Sequence, residues 1–404
     1  MSGIVNSAIR AQLANASWIR RMFETGLERK QRLGAERVFD FSLGNPDVPP
    51  PAAVAEVLRE LAVRTARPLG LGYVPNAGIP SLRAKLACKL ATEQQTALEA
   101  RHVLVTCGAA GALTAFFRAV LEPGDEIVCP APYFVEYGSY CGHFGGVLRP
   151  VPSLPPDFQP DLEKLEQAIT PRTRVLLINS PNNPTGCVYG AATLQALGAL
   201  LARQNAGRAR PIFLVSDEPY RFLAYDGVTV PPVLPLSPYS VVVGSFSKSL
   251  SLAGERVGYL TVNPAMPEAA LLLDAVIMTN RTLGFVNAPV LGQALAEALL
   301  DSGVDLAIYD RRRHAMAQVL QAAGIAAALP QGAFYFFPAA PGGDDLAFVQ
   351  ELLTENILAV PGTGFGFPGY FRLTFCVEES VIQRAAPGFQ QAVARAARAP
   401  QTRT

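Results

Sequence analysis

The sequence predicts an α/β fold: a larger domain built on a mostly parallel seven-stranded sheet, joined to a smaller α+β domain. Three observations carry this expectation. Seven short, almost wholly apolar runs rich in β-branched residues lie between positions 102 and 262, and helix-like segments separate most of them. Continuous apolar strands alternating with helices belong to a parallel sheet covered on both faces. After about residue 265 the pattern changes to long Ala/Leu helices followed by short strands.

The elements follow in order. Ile9, Leu13, Trp18, Met22, Phe23 and Leu27 recur near helical spacing and predict a helix over 7–33. FSLGNPDVPPP is a loop, a helix is expected over about 52–65, and GLGYVPNAGIP leads into a helix from Ser81. The strand runs are HVLVT (102–106), EIVC (126–129), VLRPV (147–151), RVLLIN (174–179), IFLVS (212–216), SVVVG (240–244) and VGYLTV (257–262). Helices are expected at 109–121, 161–169 and 192–204. The last two strand runs are too close for a helical crossover, so that pair can include an antiparallel strand. Helices over 267–281, 289–300 and 303–323 precede the short strands AFYFF, ILAV and FRLTF, and the polar tail AARAPQTRT reads as frayed. The expected division is an N-terminal arm with part of the small domain (1–50), a large domain (51–285) and a small C-terminal domain (286–404).

Composition narrows the function. Among 404 residues, Lys plus Arg is 34 and Asp plus Glu 33, a net charge of +1, so no basic field exists to hold nucleic acid or an anionic membrane. Half the residues are apolar, enough for a large core, yet no run of 18 apolar residues marks a membrane span. The N-terminus lacks the apolar core of a signal peptide. Six scattered cysteines without a CxxC pair read as reduced thiols in a cytoplasmic protein. His102, His143 and His314 are far apart, and no metal site is expected. Gly and Pro, 34 each, point to a loop-rich enzyme.

In open α/β sheets ligands bind beyond the carboxyl ends of the strands. Each strand end here has a plain reading and a chemical one. Thr106-Cys107-Gly108-Ala109-Ala110-Gly111 is either a tight turn or a place where a phosphate meets helix N–H groups. Ser180-Pro181-Asn182-Asn183-Pro184-Thr185-Gly186 is either an Asn–Pro turn or a rigid mount for a polar side chain. In Asp217-Glu218-Pro219-Tyr220 the first acid is either a helix cap or a buried carboxylate awaiting a cation. Lys248, among Ser245, Ser247 and Ser249, is either an exposed loop lysine or a reactive amine. Together they have one chemical logic: a Schiff-base lysine, an acid for a pyridinium nitrogen, an Asn and a Tyr for a phenolate oxygen, and a helix N-terminus with Ser and Arg for a phosphate. That is a pyridoxal phosphate site.

NPTG, DEPY and SFSKSLSLAGERVG resemble, in this order, the motifs of fold-type I, class I/II pyridoxal-phosphate aminotransferases of the aspartate aminotransferase superfamily, over about residues 35–380. The resemblance implies a transaminase with ping-pong half-reactions. It makes Lys248 the Schiff-base lysine and proton shuttle, Asp217 the partner of the pyridine nitrogen, and Asn183 and Tyr220 the partners of the 3-oxygen. Ser245, Arg256 and the backbone of Gly108, Ala109 and Ala110 would hold the phosphate. Phe134 would stack on the pyridine ring. Tyr73 would reach the phosphate of a neighbouring subunit, implying a homodimer with shared active sites. Arg372, with Gly44 and Asn183, would receive the substrate α-carboxylate.

Departures are visible. Ala110 stands where several relatives carry a hydroxyl or a Lys, and Arg281 does not fall cleanly on the position that binds a second carboxylate in dicarboxylate-specific members. Trp18 fits an interface better than a substrate entrance. The same lysine and acid would also serve a C–S β-lyase, a decarboxylase, a racemase or an amino-acid oxidase of this fold. A regulatory module would usually carry a helix-turn-helix extension, and none is evident before Phe41.

Overall fold

A computed structural model describes residues 4–14 and 18–398. The chain forms two compact units. The larger comprises Asn45–Ile308 with Gln331–Ala333; the smaller comprises the segment ending at Gly44, Tyr309–Pro330, and the segment from Phe334 onward.

The larger unit is built on one seven-stranded sheet. Its strands lie in the order Val103–Thr106, Gly258–Val262, Ser240–Ser245, Phe213–Asp217, Thr173–Asn179, Glu126–Ala131, Val147–Pro152. Only Gly258–Val262 runs antiparallel to its neighbours. Just two short helical turns, Phe246–Ser249 and Ala253–Glu255, separate it from the preceding strand, and these cannot make the crossover a parallel pair requires. The terminal strand Val147–Pro152 carries two prolines and is mostly exposed, which a sheet edge tolerates.

Strand side chains alternate between two apolar layers. Leu104 and Leu260 pack with Phe116, Phe117, Leu273 and Val276 on one face. Val103, Val105 and Tyr259 pack with Leu82, Leu86, Leu90, Leu295 and Leu299 on the other. The first layer is closed by helices Gly108–Val120 and Ala269–Thr282, the second by Pro80–Glu93 and Val290–Ala298. Val290–Ala298 packs on Val54–Arg64 and Pro80–Glu93, and this contact places residues 286–308 with the larger unit.

In the smaller unit, Phe39–Asp40 pairs parallel with Ile357–Leu358, and Val360–Pro361, Phe371–Thr374 and Tyr335–Phe336 form a three-stranded antiparallel sheet. The run ILAV is thus shared between two sheets. The expected helix over 7–33 appears as Ser7–Ala14 and Trp18–Leu33, with 15–17 outside the described residues. Of the polar tail, 399–404 lie outside them too; the segment before it forms a helix, Glu379–Ala396. Its buried residues Ile382, Ala385, Phe389 and Ala392 keep a helical period, and Gly388 lets its backbone press on Ile357. Among the described residues no helix is long and apolar enough to cross a membrane.

Phe116 sits fully buried, edge-on to Phe213 with ring centroids 5.4 Å apart. Phe116→Ala is expected to destabilise the larger unit by about 3–5 kcal/mol, read as an earlier denaturant midpoint. An unmoved midpoint would remove this ring from the core that supports the sheet.

Candidate active site

At the carboxyl edge of the larger sheet, Asn179 and Asp217 are register partners on adjacent strands. Asp217 ends a five-residue strand whose every residue is buried. Its Oδ2 accepts a 2.7 Å hydrogen bond from the Tyr137 hydroxyl, whereas Oδ1, equally buried, meets no donor among the described residues. Burial pushes the Asp217 carboxyl up to about 7; the Tyr137 bond opposes that rise and the charge of Glu218 adds to it. Burial, then the Asp217 charge, push the Tyr137 hydroxyl well above its ordinary range, so it remains a donor.

The next residue is held separately. Glu218 is 3% exposed and accepts from the Ser216 hydroxyl (2.8 Å) and Gln94 Nε2 (2.9 Å), with Arg221 Nε 3.3 Å away. These bonds anchor the turn that carries Tyr220, itself buried.

The polar loop after Asn179 is locked from within. Asn179 Nδ2 donates to the Asp217 carbonyl, and Asn179 Oδ1 accepts from the Asn183 N–H, both at 2.7 Å. Asn182 Oδ1 accepts from the N–H and hydroxyl of Thr185, at 3.1 and 2.8 Å. One buried amide therefore ties the mounts of Asn183 and Asp217 together.

Ser245 ends its strand and caps the single turn Phe246–Ser249, its Oγ accepting from the Ser247 N–H at 3.1 Å. That turn carries the half-buried Lys248. Beyond it Arg256 adopts left-handed backbone geometry (φ 53°), and its Nη1 donates to the Ala253 carbonyl at 3.0 Å. Arg256 Nη2 lies 3.0 Å from where a Cβ on Gly108 would stand, so the guanidinium rests against the start of helix Gly108–Val120. A Cβ on Gly258 would come within 2.6 Å of the Gly108 carbonyl carbon and 2.8 Å of the Ala109 nitrogen. Bare backbone at Gly108 and Gly258 therefore permits this approach. The first N–H groups of the helix, at Gly108, Ala109 and Ala110, join the arginine in a site suited to an anion.

Phe134 meets Tyr137 edge-on at 5.5 Å. Tyr73 is 94% exposed, on a loop that lines a groove with Leu71 and residues 285–290. Arg281 is exposed in the last turn of Ala269–Thr282.

The smaller unit gathers its own group. Arg372 is 1% exposed, donates to the Ser42 carbonyl, and has its guanidinium carbon 4.6 Å from the Tyr335 ring centroid and 4.9 Å from that of Phe365. A Cβ on Gly44 would collide with the Tyr335 hydroxyl. Two aromatic faces thus fix a buried cation beside the Gly44 backbone. Trp18 packs against Gly364 of the same unit.

Tyr137, Asn179, Gly258 and the rings beside Arg372 do not stand out in the sequence as site residues. Asn179 carries a signal in hindsight: it is a lone amide closing an apolar run, and a buried amide must be paired.

The family model for aminotransferase class I and II matches residues 36–389. Aspartate/prephenate aminotransferase of Thermus thermophilus is 34% identical over 369 residues, covering 87% of this chain and 90% of that protein. Aspartate aminotransferase of Geobacillus stearothermophilus is 32% identical, covering 86% and 89%. Among solved structures, an amino transferase from Eubacterium rectale superposes with a TM-score of 0.92 at 37% identity, covering 98% of this chain and 99% of the other. Thermus thermophilus aspartate aminotransferase with maleate gives 0.84 at 30% identity, covering 97% and 100%.

The raised Asp217 carboxyl has a consequence for the protein free of small ligands. A group whose folded pKa exceeds its unfolded value stabilises fully below the unfolded value, and that contribution is lost as pH rises through the folded one. Besides Tyr137, the titratable groups sensing Asp217 are Glu218, Cys129 and Tyr140. Between about pH 4 and pH 7 the wild-type protein is expected to lose stability relative to Asp217→Asn, measured by denaturant unfolding. Parallel profiles for the two would contradict the burial assigned to this carboxylate.

Proposed function

The chain belongs to the class I and II aminotransferase family and is a transaminase, and from that premise we propose that it moves an amino group between an L-amino acid and a 2-oxo acid in two ping-pong half-reactions with pyridoxal phosphate as cofactor. The observation that carries the cofactor reading is the buried Asp217 carboxylate, with one oxygen tied to Tyr137 and the other without a donor among the described residues. An acceptor so desolvated suits a protonated ring nitrogen. The backbone cradle at Gly108 and Gly258 beside Arg256 suits a phosphate. The residues present therefore fit this group.

Bound pyridoxal phosphate supplies a carbonyl carbon that takes up the amino group and a protonated ring that draws electrons from the substrate Cα. The chain supplies the rest. Asp217 Oδ1 would accept from the ring nitrogen, and Asn183 and Tyr220 would bond the ring oxygen. Arg256, Ser245 and the N–H groups of Gly108, Ala109 and Ala110 hold the phosphate, while Phe134 covers the ring. Lys248 Nζ would hold the cofactor carbon and would supply the amine that carries the proton at the substrate Cα. Arg372 would take the α-carboxylate with its planar fork, alongside the backbone of Gly44.

The chain works as a homodimer in which Tyr73 reaches the partner's phosphate; its 94% exposure, beside the exposed Leu69 and Leu71, supports this. Six free thiols support a reducing, cytoplasmic setting. The relatives named for aspartate make that amino acid the first donor to try.

Purified protein is expected to carry a visible cofactor absorption band, which Lys248→Ala changes while slowing transamination by at least about 10²–10⁴-fold. An unaltered band in that variant would sink the assignment of Lys248. A screen of acidic, aromatic, aliphatic and sulfur amino acids should find a donor that bleaches the band, which a 2-oxo acid then restores. Release of ammonia or pyruvate without that cycle would contradict transamination.

A further inference from the structure

We infer that Tyr137 is a positioning residue of this site: its hydroxyl fixes Asp217 as an ionised, correctly turned acceptor for the cofactor ring nitrogen. The inference deepens the functional reading and rests on it. The geometry is specific. Tyr137 is fully buried at the start of the helix Tyr137–Gly142 and donates to Asp217 Oδ2 at 2.7 Å. With that oxygen engaged, rotation of the carboxylate would break a buried bond, so Oδ1 stays the oxygen offered.

The direction of donation matters as much as the contact. A donor to a carboxylate favours the charged form, and Asp217 needs that help because burial favours the neutral form. A protonated Asp217 would offer the pyridine nitrogen a proton without the pairing charge. Tyr137 also meets Phe134 edge-on at 5.5 Å. One side chain thus touches both the acid meant for the ring nitrogen and the aromatic meant for the ring face.

The test separates orientation of Asp217 from packing. Cofactor-free wild type and Tyr137→Phe are titrated with pyridoxal phosphate and with its 1-deaza analogue, whose ring nitrogen is replaced by C–H. Wild type is expected to prefer the natural cofactor. Tyr137→Phe is expected to bind pyridoxal phosphate about tenfold more weakly while its affinity for the analogue is unchanged. In an Asp217→Asn background the same substitution should cost nothing, which keeps the question answerable if one single variant folds poorly. Equal losses for both compounds, or no loss for either, would overturn the role of Tyr137 while leaving that of Asp217 intact. Wild type binding both compounds equally would overturn the Asp217 reading itself, and this inference with it.

Discussion

The site depends on a carboxylate taken out of water. Asp217 lies at the end of a strand buried along its whole length, between neighbours that are buried as well. Desolvation of such a group costs several kcal/mol unless a cation or donors compensate. Within the larger unit the compensation is incomplete: one oxygen has Tyr137, and the other meets no donor among the described residues. The flanking Glu218 shows the contrast, since Ser216, Gln94 and Arg221 satisfy it in full. Two adjacent acids at one strand end are thus held differently, Glu218 by three side chains and Asp217 by Tyr137.

Everything around Asp217 serves to keep its surroundings rigid. The Asn179 amide links its backbone to Asn183, so two groups from different strands cannot drift apart. The Ser245 cap fixes the turn bearing Lys248, and the bare backbone of Gly258 lets that sheet edge meet the helix start beneath Arg256. A catalytic group held by buried, paired neighbours loses little further freedom when a ligand arrives. In the smaller unit the same logic applies to charge of the opposite sign, with Arg372 held between Tyr335 and Phe365.

Much of this was legible in the sequence, for identifiable reasons. The strands were readable because both faces of the sheet are covered, leaving unbroken apolar runs such as RVLLIN and SVVVG. The antiparallel strand was readable from spacing alone. Asp217, Asn183 and Lys248 each have a plain reading as well, and stood out only in combination, through the order of NPTG, DEPY and SFSKSLSLAGERVG. Tyr137 did not, because an aromatic within APYFVEY reads equally well as core, and only the fold brings residue 137 to residue 217. The helix Glu379–Ala396 was not among the expected elements; it continues through Pro387-Gly388. The packing partners of Val290–Ala298 are likewise set by tertiary contacts that its own periodicity does not contain.

The role proposed for Asp217 is to keep the ring nitrogen of the cofactor protonated. It is tested most directly by nitrogen NMR of the holoenzyme loaded with pyridoxal phosphate labelled with ¹⁵N in the ring. A protonated ring nitrogen in the wild type, turning neutral in Asp217→Ala at the same pH, is the expected result. A neutral ring nitrogen in the wild type, or one that stays protonated without Asp217, would contradict the account.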